Sequence, residues 1–152
     1  KLKRYREGAQ KEGRFVVVSD VYPTPTTDIA DVILPSAMWI EREGMFGNSE
    51  RRTQHWDQML KPPGEAMSDT WQLIEVARRL GLGKHFNWTY ENHIPEIWKE
   101  YTSFHHDAKH EMASYQALRE NPGVMWPCPG GKETKWRYNA RYDPAAKAVN
   151  GD

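Results

Sequence analysis

The apolar positions of this chain fall into short clusters separated by long polar stretches. Phe15–Val18 reads FVVV and Val32–Pro35 reads VILP. Both are short, continuous runs rich in β-branched residues, the pattern of strands buried on both faces in a parallel sheet. The interval between them suffices for a parallel crossover, which needs roughly a dozen residues. Within it Pro23 and Pro25 stiffen the start, and Thr27 or Asp28 is placed to cap one helical turn. Farther on, SDTWQLIEVARRLGLG spaces Leu73, Val76, Ala77 and Leu80 at i, i+3, i+4 and i+7, one face of a helix. Ser68 or Asp69 suits its start, Arg78 and Arg79 its negative end, and Gly81 its stop.

Weaker signals complete the outline. KLKRYREGAQKEGR is charged and helix-prone, with Gly13 as its end. Ile94, Ile97, Trp98 and Tyr101 form an apolar stripe that predicts helix within residues 90–120. Between these elements, EREGMFGNSERRTQHWDQMLKPPGEAMSD carries Gly44, Gly47 and Gly64, which permit unusual backbone angles, and Pro62 with Pro63, which break any element. The end of the chain is rich in Pro, Gly and aromatic residues and reads as extended chain lying on another surface. The expected fold is α/β: a partial parallel, Rossmann-like sheet flanked by helices, with an irregular C-terminal tail. The expected organisation is an α/β domain over residues 1–82, a mostly helical segment over 83–120 and an extended linker over 121–152. A helix that feeds straight into a parallel strand, and a tail of this kind, lead us to expect a piece of a larger protein.

Composition narrows the function. Lys and Arg total 21 and Asp and Glu total 21, so the formal charge is zero. A nucleic-acid arm or a polybasic membrane anchor needs a sustained basic excess, and neither nucleic acid nor membrane is expected as a partner. No apolar run approaches membrane-spanning length. Mean hydropathy is low, but seven Trp, seven Tyr and four Phe can bury much area with few residues. Cys128 is the single cysteine. The chain therefore builds no disulfide, cysteine-rich zinc site or iron–sulfur cluster of its own.

In open α/β sheets, ligands gather beyond the carboxyl ends of the strands. Ser19 and Asp20 hold that position for the first strand, and Pro35 and Ser36 for the second. Asp20 can accept paired hydrogen bonds from a guanine or a ribose, or it can cap its own turn. Arg42, Arg51 and Arg52 can meet phosphates bidentately while nearby glycines admit backbone N–H groups, or they can form a solvated, salt-bridged loop. Asp69 can bind a ligand or help cap its helix, with Gln72 as capping-box partner. His105, His106 and His110 lie near Asp107, and His106 and His110 would share a helix face. No glutamate completes an H-E-x-x-H pattern, so we expect a surface histidine cluster and no metal ligands. Cys128, between two prolines, reads as an ordinary thiol.

VVVSDVYPTPTTDIADVILPSAMWIEREGMFGNSERRTQ strongly resembles the molybdopterin-dependent oxidoreductases related to dimethyl sulfoxide reductase. The pattern formed by Glu41, Glu43, Gly44, Asn48, Glu50, Arg51 and Arg52 carries the likeness. It continues through PGEAMSDTWQLIEVARRLG and returns in GKETKWRYNARYDP. Arg42, Thr53 with Gln54, and Ser68 through Trp71 are most similar to the branch of periplasmic nitrate reductase catalytic subunits.

The resemblance implies an oxidoreductase that reduces nitrate to nitrite at a molybdenum held by two molybdopterin guanine dinucleotides. It implies a 4Fe–4S cluster elsewhere in the enzyme, a c-type cytochrome as electron donor and a periplasmic location. Position by position, Ser19, Asp20, Arg42 and Asp69 would contact the dinucleotide. No catalytic residue and no metal ligand is expected within these 152 residues. The chain alone would be inactive, one wall of a cofactor cradle. Two alternatives stay open: another molybdopterin oxidoreductase such as a formate dehydrogenase, or a non-catalytic α/β nucleotide-binding module.

Overall fold

Val17–Asp20 (β1) and Val32–Pro35 (β2) pair in parallel, with Val17 opposite Val32 and Asp20 opposite Pro35. The computed structural model describes residues 1–105 and 110–134. The fold is α/β, with this small parallel sheet, a separate antiparallel sheet and flanking helices. Two units divide the chain: Lys1–Arg42 with Gln58–Asn87, and Glu43–Asp57 with Trp88–Asp152.

In the first unit, α1 (Leu2–Lys11) is followed by Gly13 at φ 67°, a left-handed conformation that costs glycine little. β1 starts two residues later than FVVV predicts, and Phe15 is 68% exposed. The ladder is set by Asp31 at the foot of β2. Its carboxylate accepts from the Val16 N–H at 2.7 Å and takes a two-pronged ion pair from Arg6 at 2.6 and 2.8 Å, which ties α1 to the sheet. The crossover is a single tight turn, Thr27–Ile29. Neither Thr27 nor Asp28 caps it in the expected way. Thr27 Oγ1 accepts from Thr24 N at 2.9 Å and donates to Thr24 O at 2.8 Å, closing the loop ahead of the turn.

β2 leads into a bridge between Ser36 and Met67, which sets α2 (Asp69–Ala77) beside the strand end. Ser68 is the cap, its Oγ accepting from Trp71 N at 3.2 Å. A wider turn, Arg78–Leu82, follows, and Gly81 at φ 81° breaks the helical path within it. The expected apolar stripe is not the buried one. Leu73 is 70% exposed and Leu80 72%, whereas Ile74 is buried. The inner face is mixed: Trp71 lies beneath the Arg78 guanidinium, 5.0 Å from the ring centre, and Arg78 pairs with Glu75. The expected double-faced burial of β1 and β2 is also not found, since Val17 and Ile33 are both about half exposed.

In the second unit, Gly44–Gly47 (β3) and Arg52–Trp56 (β4) form an antiparallel hairpin, a strand pair that the sequence reading does not predict. Asn48 shapes the turn: its side-chain oxygen accepts from the N–H groups of Glu50 and Arg52, and Arg51 takes φ 63°. Helices α3 (His93–Ser103) and α4 (Tyr115–Glu120) follow, then β5 (Val124–Met125), which extends the hairpin by pairing with β4. The core gathers Ala113, Leu118 and Cys128 with Met45, Trp98, Ala117 and Val124. Trp98 from the predicted α3 stripe enters this core and donates Nε1–H to Ala113 O at 3.0 Å. The start of the tail is thus pinned by β5 and by Thr134, which donates to Pro127 O. The remainder of the tail, including most of GKETKWRYNARYDP, lies outside the described residues.

Candidate functional site

Successive side chains of a strand point to opposite faces, so Ser19 and Asp20 at the end of β1 have different surroundings. Ser19 Oγ lies 2.8 Å from Gln72 Oε1 and 3.2 Å from Asp69 Oδ1, and its single proton serves one of them at a time. Ser36, the first residue beyond β2, donates its hydroxyl to the same Asp69 oxygen. Arg42 Nη1 donates to the other, Oδ2, at 2.9 Å. Gln72 holds the frame, donating to Pro35 O at 2.7 Å and Met67 O at 3.2 Å. Two strand ends, the first turn of α2 and the end of the segment leading to Arg42 thus converge on one carboxylate within the first unit.

The electrostatics suit an anionic Asp69. Partial burial works to raise its pKa, but the Ser36 hydroxyl, the Arg42 charge and the Ser19 hydroxyl outweigh it and hold the carboxyl below its ordinary value. The Asp69 side chain is still half exposed and that of Arg42 about a quarter. The group is therefore reachable by a ligand. Arg42 Nε is buried and has no hydrogen-bond partner. A buried unmade donor is costly, so the Arg42 guanidinium is held here with part of its hydrogen-bonding capacity unused.

Of the four residues expected at the site, Ser19, Arg42 and Asp69 come together. Asp20 is engaged by its own turn, its carboxylate accepting from Val21 N at 2.8 Å and from Thr24 Oγ1 at 3.0 Å. Ser36 and Gln72 join the cluster. Their positions, at the second strand end and three residues into a capping box, were the available signals. From the sequence alone Ser36 is a strand-end marker and Gln72 a helix-cap partner.

The dense EREGMFGNSERR stretch divides at Arg42. Glu41 accepts from Met38 N at 2.9 Å and closes a capping box. Glu43 accepts from His55 Nε2 and from the Tyr115 hydroxyl. Arg51 donates to the carbonyls of Trp126 and Thr134, and Arg52 to that of Gly123. Arg51 and Arg52 therefore latch β4 to the following chain where phosphate contacts were one expectation. Gly44 and Gly47 sit in a strand, and a Cβ at Gly44 would meet the Phe46 ring at 3.1 Å.

The remaining candidates stay modest. His106 and Asp107 lie outside the described residues, and the His105 ring meets Tyr101 edge-on. Burial, with Glu111 and Glu133 nearby, pushes the Cys128 thiol up, away from nucleophilic reactivity. A protein-family model described as molybdopterin oxidoreductase matches residues 4–79, half of the chain and all of the cluster around Asp69.

Proposed function

The chain belongs to the molybdopterin oxidoreductase family, and from that premise we propose that the Asp69 cluster is one wall of the cradle for a molybdopterin guanine dinucleotide. The family's activity is molybdenum-dependent oxidoreduction. The observation that carries the proposal is a half-exposed carboxylate at the carboxyl edge of a parallel strand pair, aligned by Ser19, Ser36 and an arginine with an unmade donor. The residues present fit the group. Arg42 would offer its guanidinium to a phosphate oxygen, Asp69 would accept from an amide-and-amine base edge, and Ser19 and Ser36 would keep Asp69 ionised and oriented. Asp20 would act through the backbone of the strand-end turn that it closes. When bound, the cofactor supplies two-electron redox chemistry at molybdenum.

Nitrate is the substrate we propose, with nitrite as product. The support is the resemblance at Arg42, Thr53 with Gln54, and Ser68 through Trp71. The same reading brings a bis-dinucleotide cofactor, a 4Fe–4S cluster with ligands outside this chain, a c-type cytochrome donor and a periplasmic site of action. The test uses the holoenzyme with Asp69→Ala, Arg42→Glu and Arg42→Lys. Molybdenum and released guanine nucleotide should fall severely in the first two and largely recover in the third, because lysine restores the cation. Nitrate should reoxidise a reduced viologen in the parent. Parental molybdenum content in both Asp69→Ala and Arg42→Glu would overturn the cradle, and a full cofactor load without nitrate turnover would overturn the substrate.

A further inference from the structure

A second polar cluster lies in the other unit, where the cradle reading assigns nothing. His55, near the end of β4, has a side chain only 4% exposed. Its Nε2 lies 2.8 Å from Glu43 Oε1 and 4.0 Å from Asp57 Oδ1. Gly44 pairs with Trp56, so Glu43 and Asp57 face each other one step beyond the ladder, at the open end of the hairpin. One donor atom from each of the three residues falls within 4.8 Å of the others.

We propose that Glu43, His55 and Asp57 form a binding site for a divalent transition-metal cation of the zinc type. A tetrahedral ion with N and O ligands needs donor atoms about 3.3 Å apart. The separations here, from 2.8 Å to below 4.8 Å, bracket that value, and small side-chain rotations bring them to it. One imidazole with two carboxylates selects a borderline cation over calcium or magnesium, which take oxygen ligands. Three protein donors leave the fourth position to water.

The surroundings supply the support that ligating groups need. The Tyr115 hydroxyl donates to Glu43 and so orients that carboxylate, while the Tyr115 ring meets the His55 ring edge-on with centres 5.3 Å apart. Arg119 competes for Asp57 at 3.4 Å, a long contact between exposed groups that a dication would displace. Binding places the ion on Nε2, and the proton that Nε2 shares with Glu43 leaves for Nδ1 or solvent. The site would clamp the open end of the hairpin.

The test is titration of the chelator-stripped 152-residue chain with Co2+ and Zn2+, followed by the Co2+ visible spectrum and by calorimetry. We expect one saturable site per chain. His55→Gln and Asp57→Asn should each weaken it at least tenfold, and Tyr115→Phe roughly 10- to 100-fold with an altered Co2+ spectrum. Asp57 is 67% exposed, so its substitution leaves folding intact, and circular dichroism checks the others. Simultaneous replacement of His105, His106 and His110 by Gln should leave binding unchanged. Absence of a one-to-one site, parental affinity in Asp57→Asn, or loss of binding in the triple variant would each overturn the proposal. None of these residues belongs to the Asp69 cluster, so the two proposals fail separately.

Discussion

Two aspartates at the same strand edge show how a residue's role follows from its neighbours. Asp20 spends its carboxylate on the turn that it begins. Asp69 is met by hydroxyls and a guanidinium that keep it ionised while it remains half exposed. Asp31 is a third case, at the opposite end of β2. Hydrogen bonds from Arg6, then from the Val16 amide, bring its pKa from 3.8 down to about 2. Because the folded value lies below the unfolded one, the contribution to stability is fully present above about pH 4. It is lost as the pH falls through about 2. Arg6→Gln should return the Asp31 titration most of the way toward 3.8, read from its side-chain carboxyl carbon by NMR. An unchanged midpoint would mean that the Arg6 pair does not form in solution.

At the scale of the element, α2 separates periodicity from burial. Leu73, Val76 and Leu80 satisfy the helical spacing and lie outward, while Ile74 alone of its large apolar residues is fully covered. Ile74→Ala should therefore cost about 2–5 kcal/mol in urea unfolding, the range for a filled core position. Leu73→Ala should stay within about 0.5 kcal/mol. Equal losses at the two positions would put the wrong face inside. Ser68 adds a second check: its side chain serves one amide at the helix start, and Ser68→Ala should cost about 1 kcal/mol.

At the scale of the whole molecule, apolar exposure and charge act together. The chain has no net formal charge and a sequence pI near 7.2, and its first unit exposes Phe15, Val17, Ile33, Leu73 and Leu80. Exposed apolar groups without net repulsion favour association. Solubility of the isolated chain should be lowest near neutral pH. The double substitution Leu73→Lys with Leu80→Lys should raise it several-fold in a precipitation assay without altering the far-ultraviolet dichroism. No helix among the described residues is long and apolar enough to cross a membrane.

What the sequence determined by itself was local or strongly patterned. The two β-branched runs were legible as strands, parallel pairing was legible from the length between them, and the Ser68–Gly81 helix from its cap and stop. The strand-end position of Ser19 and the charge of Arg42 and Asp69 could also be read, because strand ends and charges are properties of short segments. Tertiary structure alone decided the rest. It chose Ile74 over Leu73, because burial depends on what packs against a helix and not on its period. It set β5, which lies far along the chain, against the β3–β4 hairpin, because a strand edge pairs with whatever strand folding brings to it. It divided one signature between two units, giving Arg42 to a carboxylate cluster and Arg51 and Arg52 to distant carbonyls, because a guanidinium goes wherever folding leaves acceptors unmet.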